Sequence, residues 1–254
     1  GSADAFYGTG IANLVNIVSG NSTPTASAGA TRNGFDRRAS NVFQYWTPNM
    51  NGFSGRFAYG ANEGKTATAS PSLTSFSGTY ASGPFTVSVA HERHQQFANT
   101  ATVSTRDKGT KVAGTVQLGA TQLGLVAEQL TFNGNLAASA LNKNFTVGNA
   151  DQAKLNSFYF SVLHKMGAGT FRAAYGADRG VKLNGSTSVS ADTRAKMMVF
   201  GYSYTFSKRT DIYGVYSKIK NETNSRNDFA INGVTGVANG ADPTGFGVGI
   251  RHTF

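Results

Sequence analysis

The closing stretch Gly245-Phe246-Gly247-Val248-Gly249-Ile250-Arg251-His252-Thr253-Phe254 alternates residue by residue. Phe246, Val248, Ile250 and Phe254 share one face of an extended chain, with His252 its one polar member. Glycines, Arg251 and Thr253 occupy the other. A period of two is the signature of a β-strand. An apolar face opposite a small or polar one suits a strand with lipid on one side and water on the other.

Working backwards, the same alternation recurs. Tyr213, Val215 and Ile219 form one stripe, preceded by Met198, Phe200, Tyr202, Tyr204 and Phe206. Further upstream stand Phe171, Ala173 and Tyr175 around Arg172, then Phe158, Phe160 and Val162. Residues 122–132 alternate less cleanly around Leu123 and Leu125. Val112, Val116 and Leu118 are set off by Lys111, Thr115 and Gln117. Phe85, Val87 and Val89, Phe76 and Tyr80, Phe53, Phe57 and Tyr59, and Phe43 and Tyr45 complete the series. The total is about eleven strands. Connections are short near 48–52, 82–84, 119–121, 166–169 and 207–211, and long near 63–72, 94–107, 133–153, 179–193 and 221–244. Short turns on one rim and long loops on the other describe an all-β, antiparallel transmembrane barrel with its short turns periplasmic. A soluble sandwich does not readily give that alternation. Aromatics beside the short turns (Tyr45, Trp46, Phe53, Tyr80, Phe85, Phe171, Tyr204, Phe206, Tyr213) read as an interfacial girdle.

Composition fits. Hydrophobic residues make up 39% of 254 and mean hydropathy is −0.26, as expected when every second residue faces water. No run approaches the eighteen apolar residues of a spanning helix. With 31 glycines and 11% aromatics, neither a disordered chain nor a helical bundle is favoured. Absence of cysteine removes disulfides and thiolate metal sites. The net charge of +10 raises the question of nucleic acid. The basic residues are scattered, however, with no run longer than Arg37-Arg38 or Lys208-Arg209, so anion attraction inside a channel fits better. No signal peptide opens the chain. Single-chain bacterial barrels have even strand numbers, so an odd count starting from a long loop leads us to expect missing upstream strands.

Three motifs carry a family resemblance. Val248-Gly249-Ile250-Arg251-His252-Thr253-Phe254 resembles the C-terminal strand of Gram-negative general-diffusion porins, with its terminal Phe. Phe206 to Gly214 is similar to the turn before their penultimate strand. Arg38-Ala39-Ser40-Asn41, with Tyr45, Thr47-Pro48-Asn49 and Asn51-Gly52-Phe53, resembles the strand pair after the constriction loop. The match is nearest the trimeric, anion-preferring branch. The resemblance implies a sixteen-stranded barrel assembled as a homotrimer. Residues 1–36 would be most of the inward loop and 40–254 strands six to sixteen, the whole of 1–254 being one barrel domain. It further implies that Ile250, His252 and Phe254 are read by the barrel-assembly machinery.

The working parts of a pore are the charges facing its water. With Phe43 and Tyr45 outward, Arg38, Val42, Gln44 and Trp46 face the lumen. Arg56, Lys111, Arg172 and Arg251 likewise fall on the polar faces of their strands, and a basic wall attracts anions. The resemblance places Arg38, beside Arg37, where anion-preferring porins carry a constriction arginine. Some of these cations could instead pair with loop carboxylates. Asp4, opposite the basic wall, would set up a transverse field, and Ile11 to Val18 suggests a short helical turn. Enzyme motifs are weak. His91-Glu92-Arg93-His94 lacks the i, i+4 helical spacing of zinc proteases, its histidines point to opposite strand faces, and a site near a loop would leave them on the surface. No cofactor is called for. The expected function is passive diffusion of small hydrophilic solutes and anions across the outer-membrane lipid. The alternatives are a substrate-selective channel, or an adhesion or structural barrel acting through its loops.

Overall fold

A computed structural model describes residues 3–6, 10–18, 35, 41–61, 65–96, 105–133, 143, 152–184, 191–230, 233–234 and 236–253. Eleven strands form one sheet: β1 Val42–Trp46, β2 Phe53–Ala61, β3 Ser72–Ser82, β4 Phe85–Gln95, β5 Arg106–Leu118, β6 Thr121–Asn133, β7 Gln152–Met166, β8 Gly169–Asn184, β9 Ala195–Ser207, β10 Thr210–Asn221 and β11 Thr244–His252. Spatial order equals chain order and every pairing is antiparallel. Each strand therefore pairs with its immediate chain neighbour, the topology that short hairpins allow. Among the described residues β1 and β11 do not pair with each other, and the sheet does not close.

Tight turns fall where the sequence places them. Gly83, Gly119 and Gly167 each adopt positive φ, of 51°, 57° and 58°, which glycine permits without a Cβ clash. Gly52, at φ 92°, also lies so close to the Ala81 carbonyl that a side chain would collide with it.

Directly opposed residues of a pleated sheet share a face, so the pairings sort every side chain. One face carries the exposed apolar residues from Phe43 and Tyr45 on β1, through Phe76, Val87, Leu125, Phe160 and Phe200, to Phe246, Val248 and Ile250 on β11. The last three are 74, 72 and 72% exposed. We call this the outer face. Residues 3–6 and 10–18 lie against the opposite, inner face.

Two strands depart from simple alternation. On β10 the expected stripe of Tyr213, Val215 and Ile219 is turned inward, and the outer set is Ile212, Gly214 and Tyr216. Both faces of β10 are apolar because Val215 and Ile219 pack beneath the N-terminal segment, so periodicity alone selects the wrong one. The unclear pattern on β6 has the same origin. Leu123 and Leu125 face outward beside Val162 and Phe160, while Val126 and Leu130 are buried on the inner side.

Candidate functional site: the inner face

Of the N-terminal segment, residues 3–6 and 10–18 are described, and the latter make two short 3-10 turns, Gly10–Ala12 and Leu14–Asn16. Asn13 caps the second, its side chain accepting from the Val15 amide at 3.0 Å. The segment is pinned by apolar contact and by specific hydrogen bonds. Phe6, Ile17 and Val18 cluster with Val126, Tyr159, Met197, Val199 and Ile219. The Tyr159 hydroxyl donates to Asp4 at 2.8 Å and the Ser161 hydroxyl to the Ala3 carbonyl at 2.8 Å. Glycines make room: a side chain at Gly124 would run into Ala3, and one at Gly201 into the Phe6 ring.

The long connections are tied to this segment. Lys143 is buried, with its Nζ 2.7 Å from Asp178 on β8 and 2.9 Å from the Ser225 hydroxyl. Burial lowers the Lys143 pKa, and the Asp178 carboxylate opposes that shift. Asn221 accepts from the Asn227 amide and donates to the carbonyls of Asn227 and Ala241. Asn16 in turn accepts from the Ala230 amide at 2.8 Å. Asn16, Lys143, Asp178, Asn221, Ser225 and Asn227 thus form one buried polar network over the inner side of β8 to β10.

The inner face of β1 to β4 differs. It presents small polar side chains, Ser75, Ser77, Thr79, Thr86 and Ser88, with Thr79 and Ser88 hydroxyls 2.8 Å apart. Arg56 lies on this stretch, its guanidinium 4.4 Å from the centre of the Trp46 ring. Both residues face inward, as parity requires once Phe43 and Tyr45 face out.

Lys111, Arg172 and Arg251 share the inner face with Arg56. Two of them are matched by carboxylates, Lys111 with Glu128 at 2.9 Å and Arg251 with Asp211 at 2.6 Å. Arg172 donates to the Ser203 hydroxyl at 2.7 Å. Asp4 is 1% exposed and accepts from the Tyr159 hydroxyl on the inner side of β7. Arg37, Arg38 and Phe254 lie outside the described residues. His91 and His94 do take opposite faces. His91 is outward against Thr110 at 2.8 Å. His94 is not a surface residue as expected but is 1% exposed, 2.7 Å from Glu92 and stacked on Phe35. Alternation could not reveal that stacking, because Phe35 comes from a distant connection. Ile250 and His252 are on the outer face of β11, His252 against the Thr210 hydroxyl at 2.9 Å.

An open antiparallel sheet in chain order, with apolar residues outside and a folded segment inside, is half of a familiar picture. A family model described as Gram-negative porin matches residues 1–224. The chain belongs to that family. It is a channel family, and its place is the Gram-negative outer membrane. The chain is 27% identical, over its whole length, to outer membrane porin protein 32 of Delftia acidovorans, and spans 66% of that protein. Its fold is similar to an anion-selective porin from Comamonas acidovorans, with TM-score 0.68 and 24% identity over 85% of this chain and 60% of that one. OmpT of Vibrio cholerae is more distant, at TM-score 0.59 and 14% identity over 83% of this chain and 63% of that one. The porin thus spans about two thirds of the length of the relatives it matches.

Proposed function

We propose that these strands, as part of a closed barrel, form a water-filled channel for passive diffusion of small hydrophilic solutes, with a preference for anions. We assign the eleven strands here to positions six to sixteen of a sixteen-stranded barrel, with residues 1–36 as most of its inward loop and the barrel assembled as a homotrimer. The observation that carries the reading is the division of the inner face. Among the described residues, 3–6 and 10–18 pack along the apolar half from β6 to β10, and the small polar wall of β1 to β3 is the part that lines water in this reading. On that wall Arg56 is held by the Trp46 ring, with no ion pair to a carboxylate among the described residues. A cation with an undiminished charge beside a narrow aqueous path favours anions. The relative from Comamonas acidovorans, which bears the description anion-selective, supports the sign. The assembly signal is assigned to Ile250, His252 and Phe254 of the last strand, a reading supported by the outward placement of Ile250 and His252 on β11.

The test is planar-bilayer recording under a KCl gradient. Current linear in voltage, with a reversal potential of the sign that marks anion preference, is expected. Cation preference overturns the selectivity reading, and absence of conductance overturns the channel itself.

A further inference from the structure

The outer face is not uniformly apolar. Along β4 to β8 one continuous cross-strand row reads Arg93, Lys108, Thr131, Lys154, Lys182, each residue directly paired with the next. On β9 and β10, Lys196 is paired with Lys220 in the same way. All six cations lie at the long-loop ends of their strands. The five strand carboxylates, Glu92, Asp107, Glu128, Asp178 and Asp211, are all on the inner face. None of the six cations forms an ion pair among the described residues.

Three like-charge pairs therefore stand directly opposite one another (Arg93 with Lys108, Lys154 with Lys182, Lys196 with Lys220). Such pairs are destabilising unless an anion sits between them. The rows beneath say which anion. Next below the basic row is a hydrogen-bonding row, His91, Thr110, Gln129 and Asn156, in which Gln129 donates to Asn156 at 3.0 Å. Below that lies the apolar row Val89, Val112, Ala127 and Phe158. Moving towards the long loops, the surface thus changes from acyl-like to hydrogen-bonding to cationic. On β7 the basic row at Lys154 and the opposite polar row at His164, which meets Thr121 at 2.8 Å, bracket the apolar zone. Their ten-residue separation is about 33 Å along the strand, or about 25 Å along the membrane normal at a tilt near 40°, the height of an outer-membrane apolar band.

We infer that this belt binds the phosphate groups of anionic lipid in the outer leaflet, with Lys154 and Lys182 as one clamp and Arg93 and Lys108 as another. The placement rests on the orientation expected from the loop lengths, with the short turns periplasmic, but not on conduction. A channel that fails to conduct would leave it standing, and loss of lipid binding would leave the channel reading intact.

The experiment uses the folded protein in neutral detergent with diphosphoryl lipid A as probe, and the same lipid with its phosphates removed as comparison. Two charge-matched variants are made, Lys154→Gln/Lys182→Gln in the belt and Lys208→Gln/Arg209→Gln at the opposite rim. The belt variant should lose about thirtyfold in affinity for the phosphorylated lipid, from about fivefold per cation; the rim variant and the dephosphorylated lipid should show no phosphate-dependent gain or loss. Thermal unfolding gives a second readout if expression of the belt variant is poor, since Lys108→Gln alone can be used. Without anionic lipid the belt variants should melt at the wild-type temperature or above it, because repulsion is removed. With lipid they should gain less than wild type. Equal weakening by belt and rim variants, or no dependence on the phosphates, overturns the assignment.

Discussion

Replacing Tyr159 with Phe removes one hydroxyl and should release the N-terminal segment from the inner wall. Tyr159 is 0% exposed and Asp4 1%, so no water stands ready to replace the bond between them. Their 2.8 Å contact spans 155 residues of sequence. A hydrogen bond to a charged group is worth about 1.5–3 kcal/mol, and a middle value of about 2 kcal/mol corresponds to about a thirtyfold rise in the undocked population. The strand ladder is untouched, so the unfolding temperature of the sheet should hardly move. Amide exchange of residues 3–18 in the folded, detergent-solubilised protein measures the effect, the Phe6 amide being the most direct reporter because it donates to Asp4 at 2.9 Å. In single-channel records the same variant should visit a larger conductance level as the segment leaves the wall. Tyr213→Phe is the control, since Tyr213 lies on the inner face beside Gly249, away from Asp4. Exchange in segment 3–18 that stays within twofold of wild type in Tyr159→Phe would refute the pinning, and equal acceleration in both variants would refute its specificity.

Arg56→Gln should lower the anion-to-cation permeability ratio and Arg56→Glu should lower it further, read from reversal potentials. Arg251→Gln, whose charge is matched by Asp211, should leave a net negative wall there and also shift the ratio towards cations, but with steeper dependence on salt because the pair is exposed. Lys143→Met leaves Asp178 buried without its cation, a loss of about 3–5 kcal/mol, and should free the surrounding loops to limited proteolysis. Because burial lowers the Lys143 pKa, the undocked form binds more protons just below pH 10.5, so docking measured by that proteolysis should hold or strengthen as pH rises through that window; loosening there would contradict the sign. Fluorescence of Tyr216 should be quenched by lipid-dissolved nitroxide and that of Tyr213 should not, which tests the face assignment of β10 with single-tyrosine proteins.

Strand number, turn positions and loop lengths were legible because each depends on short-range chemistry. Glycines at 83, 119 and 167 allow the backbone to reverse, and aromatic alternation marks the lipid side of β1 to β4, β7 to β9 and β11. Legibility failed where a second apolar surface covered the inner face. On β10, Val215 and Ile219 look like lipid-facing residues because the segment around Ile17 gives them an apolar partner of their own. The segment was visible only as a modestly apolar run. Its anchors, Tyr159 to Asp4 and Ser161 to Ala3, join positions more than 150 residues apart, and no local spacing encodes them. His94 escaped for the same reason, its ring covered by Phe35.

Charge was the most misleading quantity in the sequence. A net +10 with no basic run suggests cations spread along a channel wall, yet register gathers Arg93, Lys108, Lys154 and Lys182 into one outer row. On strands, residues that touch are those at equal distance from a turn, so a cluster can be assembled from singletons 15 to 46 positions apart. The inner face meanwhile holds all the strand carboxylates, and three of them neutralise Lys111, Lys143 and Arg251. In the proposed channel, selectivity therefore follows not from the total charge but from inner cations with no carboxylate partner among the described residues, of which Arg56 over Trp46 is the clearest. Among the described strands the unmatched excess lies on the outer face, where like charges oppose one another across three strand pairs, a cost that an anionic surface relieves. Neutralising the outer row should accordingly leave the reversal potential unchanged while altering lipid binding, and Arg56→Glu should do the reverse. A shift of reversal potential on neutralising Lys154 and Lys182 would show that the two faces are not electrostatically separate.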